Sequence, residues 1–125
     1  MAAELQVMND PWYSILSLNK SASGEIHFQA TAAASSPWFD GHFPGEPILP
    51  GIAQISIVWD TIKAHCGNSA DAAITDVKRL RFRQIIRPDE VMSVTIVPDG
   101  KKAGSYSFKI TVRGDLACNG LIVTV

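Results

Sequence analysis

The chain has 125 residues, of which 46% are hydrophobic and 18% charged, and its formal charge is −1. That length fits one domain, residues 1–125, with enough apolar material to bury a core without metal or disulfide staples, which excludes global disorder. The balanced charge excludes binding dominated by nucleic acid, and no apolar run approaches the roughly 20 residues that cross a bilayer.

Residues 1–10 carry Glu4 and Asp10 and lack the charged-then-apolar layout of an export signal. The expectation is a soluble, cytoplasmic protein that neither enters a membrane nor binds nucleic acid. Cys66 and Cys118 have no zinc-like spacing and are expected as reduced thiols in that compartment, and no metal or organic cofactor is implied. Residues 12–18 are short and apolar, bounded by Pro11 and Asn19, and fit a strand or a short helix. A turn follows at 21–24. Over 25–31, Ile26, Phe28 and Ala30 alternate with His27, Gln29 and Thr31, the period of a half-buried strand.

From Pro37 to Gly51 there are four prolines and three glycines, which no regular helix or central strand accepts. The same stretch carries Trp38, Phe39, Phe43, Ile48 and Leu49, so it predicts a rigid packed loop rather than a linker. A helix is predicted over 52–65, opened by Pro50 or Gly51 and closed near Gly67. Its apolar residues point in almost every direction, as in a helix sunk in a core, and Gln54, Ser56 and Asp60 interrupt them. Strands are predicted over 74–86, 91–97, 105–113 and 116–125, with turns at Asp99-Gly100 and Gly114-Asp115 and antiparallel pairing among the last three. One helix against one antiparallel sheet is an α+β architecture.

The run Gly41-His42-Phe43-Pro44-Gly45-Glu46-Pro47-Ile48-Leu49-Pro50-Gly51 holds the chemistry. A proline-stiffened loop holds His42, the side-chain type whose ordinary pKa lies nearest neutrality, at low entropic cost. Nine residues later Gly51 opens a helix whose free N–H groups can hold a polarised carbonyl oxygen. A base beside an oxyanion site suits removal of a proton α to a carbonyl. The competing reading makes His42 structural, its ring bonded to a backbone carbonyl, and residue types alone leave both standing.

The run GHFPGEPILPG, entering an apolar helix, resembles the signature HFPGxPxxPG of the β-hydroxyacyl-(acyl-carrier-protein) dehydratases, with His, Phe, Pro, Gly, Pro, Pro and Gly all in register. The segments Leu80-Arg81-Phe82-Arg83 and Arg87-Pro88-Asp89-Glu90-Val91 resemble the family's stretch after the helix. The resemblance implies a hotdog fold, a sheet wrapped round one long helix, and a homodimer with active sites at the subunit interface. It implies that His42 is the catalytic base and that the Gly51 amide binds the thioester carbonyl. Phe43, Pro50, Ile52 and Asp60 are then expected beside the substrate, a 3-hydroxyacyl thioester on an acyl carrier protein.

One position departs from the family. The helix carboxylate that acts as its acid falls fourteen residues after the histidine, where this chain has Ser56. Serine is shorter and has no useful acidity near neutral pH, so a contribution typically worth about 10²–10⁴-fold is weakened. Asp60, one turn on, is a strained substitute, and its expected role is pairing with Lys63 or with its mate across a dimer. Lys78, Arg79, Arg81, Arg83 and Arg87 gather five of eleven basic residues into ten positions. They suit either steering of an acidic carrier protein or protection of a strand edge. The leading expectation is a dehydratase-like enzyme. The alternatives are a non-catalytic acyl-thioester-binding accessory protein and an acyl thioesterase.

Overall fold

A computed structural model of the chain describes residues 12–39, 47–66 and 72–125. His42 and Phe43 lie outside the described residues, as do Asp40, Glu46 and Gly67.

Among the described residues, six strands and one helix follow in the order β1 (Tyr13–Lys20), β2 (Ile26–Ala32), a 3₁₀ turn at Pro37–Phe39, α1 (Gly51–His65), β3 (Ile74–Phe82), β4 (Met92–Pro98), β5 (Ser105–Val112) and β6 (Asp115–Thr124). The ambiguous segment near Trp12 is a strand, and it continues to Lys20. All pairings are antiparallel, in the order β1-β2-β4-β5-β6-β3, which leaves β1 and β3 at the edges. Alternation sets the register: Ile26, Phe28 and Ala30 sit opposite Ile96, Val94 and Met92, and these in turn sit opposite Phe108, Ile110 and Val112. That shared face packs on Ala53, Ile57, Val58 and Ile62 of α1 to form the core. Each fully buried Ile, Leu or Val contributes about 1.5–3 kcal/mol. This is the α+β hotdog arrangement that the motif implies.

Three expectations are corrected. The long basic strand ends at Phe82 rather than at residue 86, because Arg83 and Gln84 turn their amides onto the Ala117 carbonyl, at 2.7 and 3.3 Å. The β5–β6 hairpin turns on Arg113-Gly114, with φ of 54° and 81°, because a two-residue loop that matches strand twist needs positive φ at both positions. The β4–β5 connection is longer than a two-residue turn. Its ends meet where the Asp99 N–H donates to the Ser105 carbonyl at 2.9 Å.

The helix is also less enclosed than its composition suggests. The sheet covers Ala53, Gln54, Ile57, Val58, Thr61 and Ile62, whereas Ile52 is 64% exposed and Ile55 and Trp59 are half-buried.

Candidate functional site

The geometry at the start of α1 follows from Pro50, which caps the helix in an extended conformation with φ −64° and ψ 155°. Proline supplies no N–H, and its carbonyl accepts from the Ala53 and Gln54 amides at 3.1 and 3.2 Å. The carbonyl and N–H of a trans peptide point in opposite directions. With the Pro50 oxygen turned into the helix, the Gly51 N–H faces outward. It belongs to the first turn, whose N–H groups have no acceptor within the helix. The helix dipole adds positive potential there. Such a donor can hold a carbonyl oxygen as it gains charge.

Leu49, just upstream, is fully buried, and its N–H donates to the Ile86 carbonyl at 2.8 Å. The Leu49 carbonyl accepts from Nε2 of Gln54 at 3.2 Å. The Phe82 ring covers Gly51: a Cβ added at that residue would lie 2.5 Å from Cζ of Phe82. Gly51 does not have a positive φ, so the ring rather than the backbone demands glycine. Phe82 and Gln54 were not singled out as site residues from the sequence. The available signals were Phe82's place in the Arg81-Phe82-Arg83 stretch and a glutamine within an otherwise apolar first turn.

Beside this helix end, a recess of about 240 Å³ is lined by Trp38, Ile52, Ile55, Ser56, Trp59 and Ile74. Its walls are mainly apolar, with the Ser56 hydroxyl among them. Of the expected set, Ile52 and Ser56 line this recess, and Pro50 and Gly51 precede Ile52 at the helix start without being among its lining residues. Asp60 is not among the residues lining the recess. Its Oδ2 accepts from the Tyr13 hydroxyl at 3.1 Å, and its Oδ1 lies 3.9 Å from Nζ of Lys63. Burial, followed by the Asp60 charge and hydrogen bond, pushes the Tyr13 hydroxyl well above its ordinary pKa. The expected Asp60–Lys63 pair is present, and the tie to β1 through Tyr13 is the added finding.

The basic segment is not a plain strand. Arg79 has φ 54° and sits in a bulge between Lys78 and Arg81. Lys78 and Arg81 face Leu121 and Asn119 across the ladder, and Arg79, Leu121 and Asn119 all line one depression on the sheet face turned away from α1. The bulge therefore places Lys78, Arg79 and Arg81 on one outer face, with Arg83 just beyond the strand. That depression, about 570 Å³, also contains His27, Glu25 and Lys109 and is larger than the recess at the helix, but it lies on the opposite side of the sheet from Gly51. His27 there bonds Thr95 and Glu25 at 3.2 and 3.3 Å, in line with its expected exposed position. Cys66 and Cys118 are free thiols, and burial pushes Cys118 up to about 12.

The model of the ApeI-like family, described as ApeI dehydratase, matches residues 18–121. The chain belongs to the ApeI-like dehydratase family. The curated relatives of this ApeI-like protein include the 3-hydroxyacyl-(acyl-carrier-protein) dehydratase FabZ of Rickettsia massiliae, 26% identical over 107 residues, which span 79% of this chain and 71% of that one. Among solved structures, a chain of the dehydratase heterocomplex ApeI:P from Xenorhabdus doucetiae superposes with a TM-score of 0.79 at 24% identity, covering 89% of this chain and 96% of that one. The dehydratase domain from the CurJ module of the curacin polyketide synthase superposes at 0.66 with 17% identity, covering 89% of this chain and 41% of that one. At these identities the structural matches establish the hotdog fold. The family match makes the protein dehydratase-like. Among the described residues, no helix is long and apolar enough to cross a membrane.

Proposed function

We propose that this ApeI-like protein removes water from a 3-hydroxyacyl thioester delivered by an acyl carrier protein. His42 takes the proton α to the thioester carbonyl, and the Gly51 amide holds the carbonyl oxygen as charge develops on it. The electron pair released forms the α,β double bond, and the β-hydroxyl leaves with a proton as water. Ser56, with a water molecule, stands where the related dehydratases carry their acid. Asp60 is less suited to that step because the Tyr13 hydroxyl donates to one of its oxygens, the Lys63 ammonium lies 3.9 Å from the other, and neither oxygen lines the recess. Phe43, Pro50 and Ile52 border the substrate.

The observation that carries this reading is the outward Gly51 amide at a proline-capped helix start, next to an apolar recess and nine residues after His42. The exposed apolar face with Ile52, Ile55 and Trp59 supports a homodimer built on α1. The cations Lys78, Arg79, Arg81 and Arg83 suit the acidic surface of a carrier protein.

Ser56 favours one second reading, an accessory subunit that binds acyl thioesters without turning them over. Hydration of a crotonyl thioester, followed by loss of the enoyl absorbance, decides between them. Turnover that falls by at least about 10²-fold in His42→Ala, the range of a lost general base, supports the enzyme. Carrier-protein binding without turnover assigns the accessory role, and release of free thiol would mark a thioesterase instead.

A further inference from the structure

Gln54 is a buried polar residue in the first turn of α1. It is 3% exposed, and its neighbours in the covered face, Ala53, Ile57 and Val58, are apolar. Its amide has one orientation open to it. Nε2 donates to the Leu49 carbonyl at 3.2 Å, and flipping the amide would set oxygen against oxygen. The direction of Oε1 is therefore fixed, and that atom is buried with no hydrogen-bond partner among the described residues. An apolar side chain of the same length would avoid the unsatisfied oxygen at the cost of the bond to the Leu49 carbonyl, so the two effects nearly offset and net stability gives little reason for a glutamine here.

The bonds Gln54 makes do account for it. Its main-chain N–H binds the Pro50 carbonyl at 3.2 Å and its side chain binds the Leu49 carbonyl. The Leu49 N–H is held by Ile86 at 2.8 Å. Every backbone donor and acceptor from Leu49 to the Pro50 carbonyl is thereby tied down, and the next one along the chain is the Gly51 N–H. Its direction is set by the peptide plane that these bonds fix.

We propose that Gln54 is a positioning residue, which aims the Gly51 N–H at the thioester oxygen by clamping the Leu49-Pro50 segment. This rests on the proposed reading of Gly51 as the carbonyl-binding amide. A donor that is misaimed is misaligned chiefly with the oxygen that gains charge during reaction, so the effect falls on kcat more than on KM.

The test is Gln54→Met, which keeps an unbranched side chain of similar length and removes both amide atoms. It frees the Leu49 carbonyl but also removes the unsatisfied Oε1. These two changes are of the same kind and opposite sign, so the melting temperature is expected to stay within about 5 °C of wild type. In crotonyl-thioester hydration, kcat is expected to fall about tenfold or more, short of the 10²–10³-fold seen when an oxyanion donor is lost outright, with KM within about twofold. A folded variant with unchanged kcat overturns the proposal. So does a large fall in melting temperature with unchanged kcat per folded site, which assigns Gln54 a purely structural role.

A second measurement separates this inference from the reading beneath it. An unreactive acyl-pantetheine amide is titrated while the Gly51 amide resonance is followed by NMR. If wild type does not turn over but the ligand shifts this resonance, and Gln54→Met abolishes the shift, the positioning role stands and catalysis does not. No shift in wild type overturns both.

Discussion

The contact between Gly51 and Phe82 can be tested without any assay of function. In Gly51→Ala the new Cβ would lie 2.5, 2.9 and 3.0 Å from Cζ, Cε1 and Cε2 of Phe82, against an ordinary carbon–carbon contact of about 3.5–4.0 Å. The ring must retreat by about 1 Å. Phe82 is 49% exposed and sits at the end of an edge strand, so it can swing outward. Doing so gives up roughly the buried half of a phenylalanine, about 1 kcal/mol. Alanine in place of glycine in a helix returns about 0.5–1 kcal/mol, and no positive φ opposes the change. The two nearly cancel, so Gly51→Ala alone is expected within about 0.5 kcal/mol of wild type. In a Phe82→Ala background only the gain remains, and the same substitution stabilises by about 0.5–1 kcal/mol. Urea unfolding of the four proteins at one fixed protein concentration gives the cycle, with an expected coupling near 1 kcal/mol. A coupling below about 0.3 kcal/mol, the scatter of independent sites, would refute the claim that the ring is why residue 51 is glycine.

Two further outcomes are expected. Glu90 accepts from the Arg87 amide at 2.7 Å and from Nη1 of Arg113. Burial raises its pKa, but the Arg113 hydrogen bond, the Arg87 amide and the charges of both arginines outweigh this and hold the carboxyl below its ordinary range. The stability it contributes is therefore complete above the unfolded value of about 4.3 and is lost as pH falls through the lower folded value. Glu90→Gln should cost about 1 kcal/mol at pH 7, and the gap to wild type should close in acid; a gap that persists at pH 2 would contradict the pairing. For the thiols, burial pushes Cys118 to about 12, and it pushes half-buried Cys66 upward too, with the Lys20 charge acting against it. Ellman's reagent at pH 8 should modify Cys66 alone in the native chain and Cys118 only in denaturant, so rapid native loss of both thiols would contradict the burial of Cys118.

Much of the fold is legible in the chain because each strand writes its own period. Ile26, Phe28 and Ala30, then Met92, Val94 and Ile96, alternate cleanly, and pairing them puts these six side chains on one buried face. What periodicity does not carry is where a ladder breaks. The bulge at Arg79 and the end of β3 at Phe82 depend on backbone bonds to β6, including those that Arg83 and Gln84 make to Ala117, and no local pattern announces a partner more than thirty residues away. The hairpin at Arg113-Gly114 was displaced by one residue for a similar reason. Gly114 marks the turn, but which neighbour shares its positive φ is set by the register of β5 on β6.

The site divides along the same line. Pro50 and Gly51 are legible because their effect is local: one lacks a donor, the other a side chain, and both act on the peptide between them. Gln54 and Phe82 are not, because a glutamine in a helix and a phenylalanine in a strand have many ordinary uses until the Leu49 carbonyl and the Gly51 Cα are found against them. The helix gives the clearest case. Its apolar residues surround the axis, which reads as full enclosure, yet one sheet can cover only one side of a cylinder. Ala53, Ile57, Val58 and Ile62 take that side, and Ile52, Ile55 and Trp59 share the other with Ser56 and Asp60. Hydropathy records that a surface is to be kept from water but not what covers it. The side that the sheet leaves open carries the recess lined by Ile52, Ile55, Ser56 and Trp59, so it is that side of α1, and not the covered one, that a partner or a ligand can reach.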